Sequence, residues 1–145
     1  MDLMRAQQVA KEIMGEWLGT GWKFEFNNAS FSFGTTSVKG NTRKIKMSRK
    51  LTELNNEDRF IRTLKHEIGH AMEYELYGNL SHSIYWKILC REIGLDNPER
   101  CYSIANTVIP PRKFKGTCQK CGTIYKRDKR AGRCRCYGEI KWERI

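Results

Sequence analysis

The chain has 145 residues, a formal net charge of +11, 39% hydrophobic residues and 11% aromatic residues. This composition excludes a chain that is disordered as a whole, and no apolar run is long enough to span a lipid bilayer. The N-terminal residues carry charges among their apolar positions and lack a signal-peptide core, so we expect a cytoplasmic protein that is not secreted.

The first predicted element is an amphipathic helix near the N-terminus. Apolar residues recur at helical spacing over residues 3–18, Asp2 is a suitable N-cap, and Gly19 ends the pattern. Alternating apolar and polar residues then predict three short strands, at residues 22–26, 30–33 and 43–47. Residues 34–41 are rich in Gly, Thr and Ser and indicate a turn, so the three strands predict a small antiparallel meander.

Two further helices are predicted after the strands. The first begins at a cap, Asn55 or Asn56, and runs to about Tyr77, where Gly78 ends it. The next covers residues 83–93. Its inward-facing residues are predicted to be Ile84, Ile88, Leu89 and Ile93.

The segment "IPP" at residues 109–111 predicts a boundary between a core, residues 1–110, and a C-terminal unit, residues 111–145. This unit holds four of the six cysteines and 12 Lys/Arg against 3 Asp/Glu, so it carries +9 of the net charge. Such a basic segment favours an anionic partner, and nucleic acid first. We predict an α+β core, in which a short antiparallel β-meander packs on about three helices with the HEIGH helix central, followed by a small zinc ribbon.

The sequence HEIGH, from His66 to His70, is typical of a hydrolytic zinc site. Positions four apart lie on one face of a helix, so both imidazoles can bind the same metal ion. Glu67 is rotated by about 100° from His66 and can instead reach a water on the metal. Zinc lowers the pKa of that water to about 7, and the carboxylate can take its proton during attack on a carbonyl. The motif therefore predicts a zinc-dependent peptidase.

A catalytic zinc needs a third protein ligand and an open fourth position. The residue six positions after the second histidine is Leu76, which excludes one common ligand pattern. Glu92 suits a ligand from the next helix, whereas His82 follows a turn and lies where the chain can fold back. We prefer His82, with Glu73 and Glu75 as weaker candidates.

The segments "TLKHEIGHAMEYELYGNLSHSIYWKILCREIG" and "IKMSRKLTEL" resemble the SprT-like (Spartan-type) metalloprotease domain, over roughly residues 20–140 with the Cys-rich ribbon included. The resemblance implies a catalytic zinc on His66, His70 and His82, with Glu67 as the catalytic acid/base. Family members are associated with DNA, and eukaryotic ones degrade proteins crosslinked to DNA. The resemblance therefore implies that the substrates are proteins bound or crosslinked to DNA, and that the chain has a role in repair.

Four cysteines form a second cluster of potential ligands. Cys118 and Cys121 make a Cys-x-x-Cys knuckle, and Cys134 and Cys136 make a Cys-x-Cys knuckle, where the family more usually has Cys-x-x-Cys. Four thiolates suit a closed, structural zinc site, which would supply folding energy to a unit with little core of its own. The segments "GTIYK" and "GEIKW" are its predicted strands.

Six basic residues between and within the knuckles are candidates for phosphate contacts: Lys126, Arg127, Lys129, Arg130, Arg133 and Arg135. Tyr125, Tyr137 and Trp142 can stack on unpaired bases, although Tyr125 and Trp142 suit the ribbon's small core equally well. We therefore expect DNA, including single-stranded DNA, as a partner, DNA-bound proteins as substrates, no membrane partner, and a monomer.

A second class of function is also compatible with this sequence. The chain would then be a non-catalytic, zinc-containing nucleic-acid-binding protein with a role in transcription, and HEIGH would hold a structural zinc or none. Zinc content distinguishes the two classes. Of the remaining cysteines, Cys90 is predicted to be a buried thiol, and Cys101 has no partner pattern and is given no role.

Overall fold

The computed structural model describes residues 1–98 and 107–145. The chain forms two compact units, Met1–Pro110 and Pro111–Ile145. Among the described residues, the first unit contains four helices and a mixed three-stranded sheet, and the second contains a separate three-stranded sheet, so the predicted α+β class is confirmed. None of the described helices is both long and apolar enough to cross a lipid bilayer.

The helices of the first unit begin and end at the local signals in the sequence. Asp2 accepts a hydrogen bond from the backbone N–H of Arg5, and Asn56 accepts one from that of Arg59, so both act as N-caps. Gly78 ends the HEIGH helix in a left-handed conformation, with φ 73°. In chain order the elements are α1 (Leu3–Leu18), β1 (Lys23–Asn27), β2 (Gly34–Lys39), β3 (Thr42–Ser48), α2 (Arg49–Leu54), α3 (Glu57–Tyr77) and α4 (Ile84–Glu92).

The part of the chain that the structure describes has four helices rather than about three. The additional helix, α2, follows β3 directly, because the Ser48 side chain accepts a hydrogen bond from the Leu51 N–H and caps it. Leu51 and Thr52 are fully buried and fix the helix against the core. Six residues are too few for an apolar period to be visible in the sequence.

The sheet differs from the predicted antiparallel meander. Its strand order is β1-β3-β2, with β1 parallel to β3 and β2 antiparallel to β3. Residues 30–33 are not a strand, and β2 instead occupies most of the segment predicted as a turn. The turn is confined to Gly40 and Asn41, where Gly40 has φ 58°. The prediction was wrong because the Thr and Val residues of β2 favour a strand once β3 pairs with them.

The buried face of α4 matches the prediction only in part, because Leu89 and Ile93 are buried as predicted but Ile84 and Ile88 are not. Trp86 and Cys90 are fully buried, whereas Ile84 is 66% exposed and Ile88 is 46% exposed. The reason is close packing on α3 at Gly69, where an added Cβ would overlap Cys90 Sγ and lie 3.0 Å from the Trp86 indole nitrogen. Because α4 has only nine residues and carries apolar side chains on two sides, its packing against α3 determines which side is buried.

The core of the first unit lies between the helices and one face of the sheet. The core side chains of α1 and α3 pack together with those of β3. This packing holds the part of α3 around Glu67 beside β2. The buried core residues are Ala6, Val9, Ala10, Met14, Trp22, Phe33, Ile45, Met47, Leu51, Phe60, Leu64, Ile68, Ala71 and Ile93.

The second unit consists of three strands, β4 (Phe114–Cys118), β5 (Ile124–Arg127) and β6 (Ile140–Arg144). They form an antiparallel sheet with the order β5-β4-β6. The sequence predicts the two outer strands and misses the central one, which ends at Cys118. Gly116 lies at the middle of the central strand, opposite Tyr125 and Trp142, and an added Cβ would lie 2.6 Å from the Trp142 ring. Trp142 therefore packs across this sheet.

Candidate metal centres

Three histidines converge in the first unit. His66 and His70 lie one turn apart on α3, and His82 lies just before Ser83, the N-cap of α4. The Nε2 atoms of the three rings are 3.2 Å apart in every pair. His66 and His70 are buried and His82 is half-buried, so the cluster is open to solvent on the His82 side.

The spacing of these nitrogens fits a metal ion. A tetrahedral zinc with Zn–N distances of about 2.0–2.1 Å holds its nitrogens about 3.3–3.4 Å apart. Hydrogen bonds alone do not explain the triangle, because each nitrogen would have to donate to one neighbour and accept from the other. An imidazole nitrogen does only one of these. The cluster of His66, His70 and His82 therefore has the geometry of a metal centre.

The Glu67 carboxyl lies beside this cluster rather than in it. Its Oε2 atom is 2.5 Å from the Thr36 hydroxyl of β2, which donates a hydrogen bond to it. Burial raises the pKa of the Glu67 carboxyl to about 7, and the hydrogen bond from Thr36 acts in the opposite direction. A cleft of about 320 Å³ opens at this point, lined by Gly34, Thr35, Thr36, His66, Glu67, His70, Leu80 and His82.

Trp86 packs against all three histidines. Its ring centroid lies 4.7 Å from that of His66, 5.2 Å from that of His70 and 4.7 Å from that of His82. Its indole N–H also donates to the backbone carbonyl of His66, at 3.2 Å. No role for Trp86 in the site was predicted from the sequence. The available signal was its position four residues after His82, on the first turn of the following helix.

The other candidates for a third ligand have different partners. The Glu73 carboxylate accepts hydrogen bonds from the loop that carries His82. Glu75 accepts from the Trp22 indole N–H and pairs with Arg43. Glu92 is exposed on α4. Among the described residues, none of these three carboxylates belongs to the histidine cluster.

The four cysteines of the second unit converge as well. Three pairs of Sγ atoms are 3.4–3.5 Å apart, which is too long for a disulfide bond of about 2.0 Å. The spacing is near the roughly 3.8 Å expected around a tetrahedral zinc with four sulfur ligands. This cluster is compatible with a zinc ribbon, and its members are Cys118, Cys121, Cys134 and Cys136.

A tight turn lets the Cys-x-Cys knuckle present both of its sulfurs. The Tyr137 N–H donates to the Cys134 carbonyl, and Tyr137 has a positive φ of 62°. At Gly138 an added Cβ would lie 2.5 Å from Cys118 Sγ, so only glycine fits there. The Tyr125 hydroxyl lies 3.2 Å from Cys134 Sγ and donates to it, which gives Tyr125 a structural contact within the ribbon.

Most of the basic residues in the second unit face solvent. Arg127 is the exception among the six candidates, because it is half-buried, donates to the Ala131 carbonyl and lies over the Tyr125 ring. Tyr137 is 87% exposed, whereas Trp142 is half-buried. The five exposed candidates for phosphate contacts are Lys126, Lys129, Arg130, Arg133 and Arg135.

The SprT-like family model matches residues 5–107. The chain belongs to the SprT-like family. The matched part of this SprT-like chain contains His66, His70 and His82 together with Glu67. It begins earlier than the resemblance seen in the sequence and ends before the cysteine unit, which is therefore not part of the family match. A search of curated proteins gave no match.

Of the two remaining cysteines, only Cys90 lies among the described residues, and it belongs to neither cluster. Cys90 is fully buried against Gly69, as predicted, and burial raises the pKa of its thiol to about 12. A thiol in this environment stays protonated near neutral pH and is a poor nucleophile. Cys101 lies outside the described residues.

Proposed function

We propose that this SprT-like chain is a zinc-dependent metallopeptidase. The observation that carries the proposal is the convergence of three histidine Nε2 atoms beside the buried carboxyl of Glu67, at the floor of an open cleft. Membership in the SprT-like family, which is associated with metallopeptidase-like proteins, supports the same reaction class. The substrate is a polypeptide, and the bond cleaved is the amide.

The residues of the site have separate roles in this reaction. His66, His70 and His82 would hold the metal through their Nε2 atoms. When bound, zinc supplies the Lewis acidity that makes water a nucleophile near neutral pH. Glu67 accepts the proton of the attacking water and passes it to the leaving amine nitrogen. Thr36 holds one oxygen of that carboxyl, which leaves the other for the proton.

The substrate lies extended along β2. This strand is at the edge of the sheet, and Gly34, Thr35 and Thr36 line the cleft. An edge strand offers backbone N–H and C=O groups that pair with an extended peptide irrespective of its side chains. Such binding places a substrate carbonyl next to Glu67 and the histidines.

The second unit, which carries the four cysteines, binds DNA. It thereby brings the peptidase to DNA-bound or DNA-crosslinked proteins. Its net charge of +9, its exposed basic side chains and the exposed ring of Tyr137 support this role. Phosphate contacts and base stacking are the usual elements of single-strand binding. In this account a structural zinc holds Cys118, Cys121, Cys134 and Cys136 together.

DNA binding is tested by its dependence on salt. Affinity of the full chain for a single-stranded oligonucleotide should fall linearly on a logarithmic scale, with a slope of about −0.7 for each phosphate neutralised. Arg133→Gln and Arg135→Gln should each make that slope shallower, whereas Lys11→Gln, on α1 of the first unit, should leave it unchanged. Binding that does not weaken with rising salt would contradict the role of these residues.

Zinc content together with peptide cleavage tests the proposed enzyme. The wild-type chain should bind two zinc ions and cleave an unstructured polypeptide, and His82→Ala should bind one and cleave none. Glu92→Ala, at the alternative ligand on α4, is the control and should retain both. A wild-type chain with one zinc, lost only when the cysteines are changed, would instead identify a non-catalytic nucleic-acid-binding protein.

A further inference from the structure

The Glu73 carboxylate is buried on α3, one turn beyond His70. It is 1% exposed, and its acceptors face the loop that follows the helix. The Ser81 backbone N–H donates to Oε1 at 2.6 Å, and the Ser83 hydroxyl donates to Oε2 at 2.5 Å. The Ser81 hydroxyl lies 3.0 and 3.1 Å from the two oxygens. The carboxylate thus holds the residue on each side of His82.

We propose that Glu73 is a positioning residue for the metal centre, which it serves by fixing the loop at residues 81–83. The inference rests on the proposed function to the extent that the histidines hold a metal ion. His66 and His70 are placed by the helix itself, but His82 comes from a loop without regular structure. The hydrogen bonds to Glu73 hold the loop so that the His82 ring lies beside the His66 and His70 rings before any metal is bound.

A carboxylate suits this task better than a neutral side chain. It offers two oxygens, and hydrogen bonds to a charged acceptor are about twice as strong as neutral ones. Among the described residues Glu73 has no Lys or Arg partner. Burying such a charge is costly unless an opposite charge lies nearby. A divalent cation on three neutral imidazoles supplies that opposite charge, so the clamp and the metal stabilise each other.

Metal affinity of the histidine centre in the full chain tests this role. Co²⁺ titration distinguishes the two centres, because only the cysteine centre gives sulfur-to-metal charge-transfer absorption. Glu73→Gln keeps the size of the side chain and removes its charge. It should lower the Co²⁺ affinity of the histidine centre by about 10- to 100-fold, as substitutions of residues that orient metal ligands typically do. The cysteine centre should be unaffected. Glu92→Gln, exposed on α4, is the matched control and should match the wild type.

Ser81→Ala provides a second variant that leaves the buried charge in place. It removes one hydroxyl donor and keeps the backbone N–H of residue 81, so metal should bind severalfold more weakly in a folded chain. Unchanged Co²⁺ affinity in Ser81→Ala and in a folded Glu73→Gln would overturn the proposal.

A double variant separates positioning from the long-range effect of charge. His82→Ala should leave only a weak residual Co²⁺ affinity on His66 and His70, measurable at high Co²⁺ concentration. If Glu73 acts through His82, Glu73→Gln should cause no further loss of that residual affinity. An equal loss in both backgrounds would overturn the positioning role. A wild-type chain whose histidines bind no metal would overturn the proposed function together with this inference. A wild type that binds metal and cleaves peptides, with both loop variants unaffected, would overturn the inference alone.

Discussion

At the scale of single residues, the hydrogen bond between Thr36 and Glu67 is a testable contact. Thr36→Val removes the hydroxyl and keeps the shape, so the carboxyl loses the donor that orients it. A hydrogen bond to a charged group contributes about 1.5–3 kcal/mol, which corresponds to a decrease in kcat of about 10- to 100-fold. Steady-state cleavage of a peptide measures this decrease in kcat, and the zinc content of the variant is determined in parallel.

Thr42→Val serves as the control for this change. Thr42 is an exposed β-branched residue on β3, and it lies outside the residues that line the cleft. Its substitution should leave kcat within about twofold of the wild type, as surface changes usually do. Equal kcat values for Thr36→Val and Thr42→Val would show that the hydrogen bond from the Thr36 hydroxyl to Glu67 does not contribute to catalysis.

The site residues differ in how far the sequence alone could predict them. His66, Glu67 and His70 follow from helical spacing, which is local and fixed. His82 was one of several candidates, because its approach depends on how a loop folds back. Thr36 could not be predicted, since its contact with Glu67 depends on where β2 begins and on how the sheet packs against α3.

At the scale of elements, the contact between α3 and α4 depends on Gly69. Gly69→Ala would place a methyl group against Cys90 Sγ and the Trp86 indole, so α4 must move away from α3. Overpacking of this kind costs about 1–3 kcal/mol. Urea denaturation should show that loss of stability. Because Trp86 also packs on the three histidines, zinc affinity should fall as well.

Gly15→Ala is the matched change in another helix. Gly15 lies on the exposed face of α1, and no atom lies within 4 Å of its added Cβ. Alanine there should raise the free energy of unfolding by about 0.5–1 kcal/mol, because glycine is unfavourable in a helix interior. A Gly69→Ala chain as stable as the wild type would contradict the close packing of the two helices.

The elements that were predicted correctly are those with local signals. α1 and α3 have capping residues and a long apolar period, so their bounds follow from neighbouring residues. β1 instead pairs in parallel with β3, about twenty residues further along the chain, and β4 is stabilised from both sides by β5 and β6. Such pairings are non-local, and short segments do not reveal them.

At the scale of the whole molecule, the two units should respond differently to metal removal. In the second unit only Gly116, Cys118 and Cys134 are buried, so it has almost no apolar core without its metal. The first unit has a core of its own. After chelation, trypsin should digest residues 111–145 quickly and leave the first unit largely protected, as mass spectrometry of the fragments would show.

Cys136→Ser should reproduce this digestion without a chelator, while zinc remains on the histidines. A second unit that stays resistant to trypsin in both cases would show that the cysteines do not hold a structural metal. The charge asymmetry between residues 1–110 and residues 111–145 was visible in the composition. The prediction that the second unit needs a metal to fold rests on the convergence of its four sulfurs.

The most direct test of the central claim is peptide cleavage by Glu67→Gln, measured together with its zinc content. The substitution leaves the three histidine ligands in place and removes only the group that accepts the proton. We predict two zinc ions per chain, as in the wild type, and cleavage at least about 100-fold slower, the usual effect of losing a general acid/base. Unchanged cleavage with both zinc ions bound would contradict the account.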